Sequence, residues 1–208
     1  MGDGQTLPGI DLDSTGTIDD GTLARTEAPP PGPIALDSGS GAPRPSAASI
    51  AERVVSFARR QRGDRVGDGQ CFALADRALR QAEAKSARDY GAVSPDADYV
   101  WGTPVALSGL RPGDVIQFRN YSYDREIVIE RSDETVTRED SQMRPHHTAI
   151  VQSVDGNGAV TVLEQNSPDG SPVVRTQLFF TSGTTTSGNT TTTVRVSGTF
   201  WFYRPEAR

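Results

Sequence analysis

The sequence predicts an α+β fold: helices at the front of the ordered chain, then a mainly antiparallel sheet of five to six strands. Three observations lead there. Apolar residues recur at helical spacing between Ser49 and Ala82. From about residue 99 the period changes to two. Two turn signals, Arg111-Pro112-Gly113-Asp114 and Asp155-Gly156-Asn157-Gly158, cut the second half into strands and hairpins. Helices first and strands second, without alternation, argue for α+β.

Composition limits the function classes. The chain has 208 residues, a formal net charge of -6, one cysteine and two histidines. A net negative charge gives a nucleic-acid partner no general support. One cysteine excludes an intramolecular disulfide framework. No run of 18 apolar residues exists, so no membrane span is expected. Met1-Gly2-Asp3-Gly4-Gln5 lacks the basic and apolar regions of a secretory signal peptide, which points to the cytoplasm or export by a non-standard route. Residues 1–46 are rich in Pro, Gly, Ser and Asp, with Pro29-Pro30-Pro31-Gly32-Pro33 at their centre. Such a segment buries too little apolar surface to offset its ordering entropy and reads as a disordered tail of unknown partner, ahead of a domain at 47–208. Within it, Asp11, Asp13, Gly16 and Ile18 have the spacing of a calcium loop. Thr15 and Thr22 stand where that loop needs oxygen-rich ligands, so an acidic linker is the better reading.

The first helix starts at a capping box, Ser49-Ile50-Ala51-Glu52. Ile50, Val54, Phe57 and Ala58 form its apolar stripe, Arg59, Arg60 and Arg62 suit its C-terminal dipole, and Gly63 can end it. The second helix follows the loop Gly67-Asp68-Gly69-Gln70. Cys71, Leu74, Ala75, Ala78, Leu79 and Ala82 fall on one face. A cysteine at a helix start is favoured as thiolate by the helix dipole. Helix periodicity alone makes Cys71 a small core residue. The glycine loop argues for more, because its N–H groups near Gln70 and Cys71 can form an oxyanion hole.

Strands are expected at Val115–Phe118, Glu126–Glu130, His147–Val151, Ala159–Glu164, Val173–Phe180 and Val194–Tyr203. The Thr-, Ser- and Gly-rich stretch Thr181–Thr193 reads as a flexible loop. A two- or four-residue turn within Asp155–Gly158 sets His147 opposite Asn166 and Ala149 opposite Glu164. Cross-strand Cβ atoms then lie ~5 Å apart and diagonal ones ~7–8 Å, so either Glu164 or Asn166 can reach the imidazole. A three-residue bulged turn would break that register. His146 points to the opposite face and is the weaker candidate; the two histidines cannot chelate one metal from that strand, and no further Cys or His completes a zinc site. Cys71, His147 and a carboxylate or amide orienter together have the logic of a thiol nucleophile with its base.

At these residues the sequence resembles the CHAP and NlpC-type branch of papain-fold cysteine hydrolases. The resemblance rests on Gly69-Gln70-Cys71 opening a helix, Arg111-Pro112-Gly113-Asp114-Val115-Ile116-Gln117-Phe118, His147-Thr148-Ala149-Ile150-Val151 and Val162-Leu163-Glu164-Gln165-Asn166, in that order. It covers about residues 49–204 and implies a papain-like fold. Carried over by position, Cys71 is the nucleophile, His147 the base, Glu164 the third member and Asn166 a fourth polar group. The family cleaves amide bonds, usually in peptidoglycan, without a cofactor, so a peptidoglycan or peptide substrate is expected. A related acyltransferase or deconjugating protease, and a catalytically silent papain-like binding module, are the alternatives. The charged segment from Tyr121 to Arg144 is longer than a family hairpin requires and is a candidate rim of the cleft.

Overall fold

The computed structural model describes residues 49–208 apart from residue 157. The tail at 1–46 and its calcium-loop-like stretch lie outside the described residues. Helix α1 (Ile50–Arg60) begins at the expected capping box: the Glu52 N–H donates to Ser49 Oγ at 3.2 Å, and the Ser49 N–H to Glu52 Oε2 at 2.6 Å. Helix α2 (Cys71–Gln81) buries Leu74, Ala75, Ala78 and Leu79, the stripe that the spacing predicts.

Seven strands follow, more than the five to six expected: β1 (Thr103–Val105), β2 (Val115–Glu130), β3 (Thr135–Val154), β4 (Ala159–Glu164), β5 (Val174–Phe179), β6 (Gly183–Ser187) and β7 (Thr190–Arg204). Their order is β1-β7-β2-β3-β4-β5, with β6 on the outer half of β7, and every strand pairing is antiparallel. Two corrections concern the middle of the chain. The segment from Tyr121 to Arg144 is not a pair of charged loops about one short strand: it is the outer part of one long hairpin, β2 and β3, and its end at Ser141–Arg144 does line the cleft beside Cys71. Thr181–Thr193 is not a loop either. It forms β6 and the start of β7, with Oγ1 atoms of Thr184 and Thr193, and of Thr186 and Thr191, 3.2 Å apart. Threonine is β-branched and suits a pleated surface, and in this stretch that preference outweighs the loop-like composition.

The sheet has two covered faces over its inner half. One carries Val115, Ile150, Leu163 and Tyr203 and packs on α1 and α2 with the buried Trp101 and Val173. The other carries Ile116, Phe118, Ala149, Val151, Val160, Val162 and Leu178. Alternation along β2 then breaks. Phe118 and Tyr121, three residues apart, share the second face with ring centroids 5.0 Å apart. The cause is Asn120, whose φ is +50° and where the β2–β7 register slips between Arg119 and Ser122. Gly198 makes the close approach possible: a Cβ there would lie 2.1 Å from the Asn120 carbonyl oxygen. On β3 the paired register is unbroken except at Pro145, which has no N–H to give. The same break therefore brings Arg144 and His147 to one face, where strict alternation would separate them.

Candidate active site

Cys71 is the first residue of α2, half-buried, and reached from a glycine loop. Gly67 (φ +69°) and Gly69 (φ +84°) both take left-handed backbone, and a Cβ on Gly67 would sit 2.8 Å from the Ala73 Cβ. Gln165 clamps the loop. Its Oε1 accepts the Val66 N–H at 2.9 Å, while its Nε2 donates to the carbonyls of Val66 at 2.9 Å and Gln70 at 2.6 Å.

His147 reaches this thiol by a route that face-counting does not suggest. It shares the face of Ala149 and Val151, opposite the helices. β4 pairs with β3 only as far as Ile150, so the outer edge of β3 is open at His147, and Cys71 and His147 line one cleft there. The His147 imidazole and the backbone N–H groups of Thr148 and Phe72 lie close enough to the Cys71 sulfur to favour its thiolate.

The β3–β4 register that supports this contact has a different origin from the expected one. The turn is the three-residue kind, with the Asp155 N–H donating to the Ala159 carbonyl at 2.8 Å. It shifts the pairing by one, so Val154 faces Val160. A bulge between Val151 and Ser153 shifts it back, so Ile150 faces Leu163 as the shorter or longer turn would have placed it. Two irregularities cancel.

Glu164 Oε2 lies 2.9 Å from His147 Nε2, off the axis of the ring N–H; His147 is 5% exposed and Glu164 fully buried. Arg144 closes the cluster. It is 3% exposed and grips Glu164 with two bonds, Nε to Oε2 at 2.9 Å and a terminal nitrogen to Oε1 at 2.6 Å. In the sequence Arg144 is only the end of a charged segment, and nothing there pairs it with Glu164. Pro145 was the available signal, since proline inside a strand marks broken pairing.

Asn166 does not meet the imidazole, which corrects the expectation that it faces His147. Its φ is +63°, its Oδ1 accepts the Gly170 N–H at 2.6 Å and its Nδ2 donates to Gln70 Oε1 at 3.0 Å. The expected oxyanion donors also change. The Gln70 N–H is already given to Asp68 Oδ1 at 3.0 Å. The Cys71 N–H has no acceptor among the described residues. Because Asn166 must be the donor to Gln70 Oε1, the Gln70 amide leaves its Nε2 hydrogens unused.

The electrostatics follow from this packing. Burial pushes the Cys71 thiol up, but the bond and positive charge of His147, with the two backbone N–H groups, outweigh it and bring the thiol below its ordinary value. Burial pulls His147 down, yet the Cys71 thiol and the Glu164 carboxylate beside it carry it up to about 9. Burial would raise Glu164, but His147 and Arg144 hold it at about 2. A cleft of about 1100 Å³ opens on Cys71, lined among others by Phe72, Tyr99, Gln142, Met143 and Asn166.

The model of the AIM3/BBC1 cysteine proteinase-fold domain matches residues 28–206. The chain belongs to that family. The AIM3/BBC1 match starts inside the segment read from composition as a tail. Its cysteine proteinase fold agrees with the architecture here, two helices on an antiparallel seven-stranded sheet, so the α+β papain-like fold holds. No curated protein compared with the chain matches it. Among solved structures, "The crystal structure of Ly7917" is similar at 19% identity with a TM-score of 0.39; the likeness covers 64% of this chain and 56% of that one. The chain thus spans little more than half the length of that structure.

Proposed function

We propose that this domain is a thiol-dependent hydrolase of amide bonds, of the CHAP/NlpC type, acting on a peptide or on the peptide part of peptidoglycan. The observation that carries the reading is His147, buried between the Cys71 thiol and the Glu164 carboxylate 2.9 Å away. Glu164 faces Nε2, so Nδ1 is the ring atom left for sulfur. His147 holds the thiol proton, and the thiolate attacks the substrate carbonyl carbon. The oxyanion that forms lies within reach of the Cys71 N–H and the Gln70 side-chain amide; one such donor is typically worth ~3 kcal/mol of barrier. The imidazolium then gives its proton to the leaving amine as the C–N bond breaks. Water, deprotonated by His147, cleaves the thioester and releases the acid. No step needs a cofactor. Asn166 acts through Gln70, holding its amide, rather than through His147.

A silent binding module fits less well. Burying Glu164, Arg144 and His147 together costs desolvation that hydrophobic residues would avoid. A thiol lowered by its neighbours serves no packing purpose. The test is incubation of peptidoglycan and of an unfolded protein with wild type and with Cys71→Ala, followed by mass analysis. New amine and acid termini with wild type alone are expected; no difference between the two proteins in either substrate overturns the hydrolase reading.

A further inference from the structure

The outer edge of β3 is open where it borders the cleft. β2 pairs with β3 from Thr135 to Ile150, but β4 covers the other edge only from Ile150 to Val154. Among the described residues no strand pairs with the outer edge between Thr135 and Ala149, and no backbone hydrogen bond from outside the strands reaches it there. Ser141, Gln142, Met143, Arg144, Pro145 and His146 of this stretch line the cleft beside Cys71.

The direction of each peptide group follows from two printed bonds at the ends of β3. At the hairpin tip the Arg131 N–H donates to the Glu134 carbonyl, so even-numbered residues of the outer half face β2 and odd-numbered ones face outward. At the inner end Val151 bonds Asp114 and Gly113, so there odd-numbered residues face inward and even-numbered ones outward. The change of phase falls at Pro145. Ser141 and Met143 on one side of it, and His146 on the other, therefore turn their N–H and C=O groups outward at the cleft, and Thr148 turns its own toward Cys71. Thr148 supports the count, because its N–H points at the Cys71 sulfur. Met143 keeps only its N–H free, since its carbonyl accepts from Arg144 at 2.7 Å.

An open strand edge is usually guarded by charge. This stretch is not. The Arg144 charge is spent on Glu164, Gln142 Oε1 accepts from Arg144 at 3.2 Å, and Met143 is 67% exposed with an apolar side chain. Donors and acceptors at strand spacing, unguarded, and continuous with the group that holds the nucleophile suit one kind of occupant: the main chain of another extended polypeptide. We infer that the substrate is an extended peptide that adds to the sheet along Ser141–His146 and is recognised chiefly through its backbone, its scissile carbonyl lying at Cys71. This rests on the hydrolase reading and narrows its substrate class, since a glycan strand offers no such ladder.

The test uses Met143→Pro and Ser141→Pro. Both N–H groups point outward, so proline removes a donor to the substrate and no bond of the sheet. Wild type and variants are compared on reduced, carboxymethylated casein as an unfolded polypeptide, with iodoacetamide alkylation of Cys71 measured in parallel. The inference expects casein cleavage by wild type and at least a tenfold fall in kcat/KM for either proline variant that keeps the wild-type circular dichroism, at an unchanged alkylation rate. Cleavage by such a variant at the wild-type rate overturns it. So does a wild type that leaves casein intact and cleaves peptidoglycan. A slow thiol with no cleavage of either substrate instead overturns the hydrolase reading on which it rests.

Discussion

The sheet has an inner and an outer half, and they differ in what holds them. The inner half, on the helix side of Asn120 and Pro145, is covered on both faces and carries His147 and Glu164, with Arg144 reaching in from just across the boundary and Cys71 facing them from α2. The outer half, built from β6, the start of β7 and the tips of β2 and β3, buries little; all five residues of β6 are exposed. Ion pairs occur in both. Arg144 and Glu164 are locked in the interior, whereas Arg125 and Asp140 pair on the outer half, with Arg125 also lying over the Phe179 ring. The same chemical bond thus has different consequences: a fully buried charge cannot lose its partner cheaply, and a partly exposed one loses it at lower cost.

The largest effect is expected from Arg144→Met, which leaves Glu164 buried with only His147 to offset it. Urea unfolding at pH 7 should show a loss of about 3–5 kcal/mol. Adding Glu164→Leu should recover most of that stability, because a buried pair can be replaced by apolar residues. It should not recover thiol reactivity, since His147 then has no carboxylate. If it recovers both, the pair is merely structural.

Next comes the boundary itself. Gly198→Ala forces a Cβ against the Asn120 carbonyl in left-handed backbone, φ +87°. The overlap should cost about 1–3 kcal/mol and the backbone about 1–2 kcal/mol, read from the same unfolding curves. An unchanged midpoint would mean that the sheet does not need this close approach.

A third test uses pH. Glu164 falls from its ordinary 4.5 to about 2, so its contribution is complete above pH 4.5 and is lost as pH falls toward 2. His147 rises from 6.5 to about 9, so its contribution is complete below pH 6.5 and is lost as pH climbs toward 9. Stability should therefore decline at both ends. In Glu164→Gln the acid limb should flatten. An acid limb identical to wild type would place the titrating group elsewhere. The smallest effect is expected on the outer half: Arg125→Met should change stability by about 1 kcal/mol or less. A loss as large as that of Arg144→Met would erase the contrast.

The two halves were also unequally legible in the sequence. Ile150, Val151, Val160 and Val162 alternate in a buried setting, so period two located their strands and the dyad beside them. On the outer half both faces meet water. Glu126, Arg138, Glu139 and the threonines therefore carry no alternation, and long strands look like charged or flexible loops. Arg144 was hidden for another reason: counting by two across Pro145 assigns it to the wrong face. Asn166 was misplaced because the chain turns at φ +63° just after β4, which no pattern of side chains announces. The His147–Glu164 contact was anticipated from a register that a bulge restores, and the sequence carries no visible sign of that bulge.

The central claim is that Cys71 is a thiol activated by His147, and alkylation by iodoacetamide across pH 5 to 10, in wild type and His147→Ala, tests it most directly. Wild type is predicted to react at lower pH than an ordinary thiol with its value of 9.0, and His147→Ala to lose that advantage, its rate rising only as pH approaches or passes 9.0. Identical profiles for the two proteins, both rising only near 9.0, would contradict it.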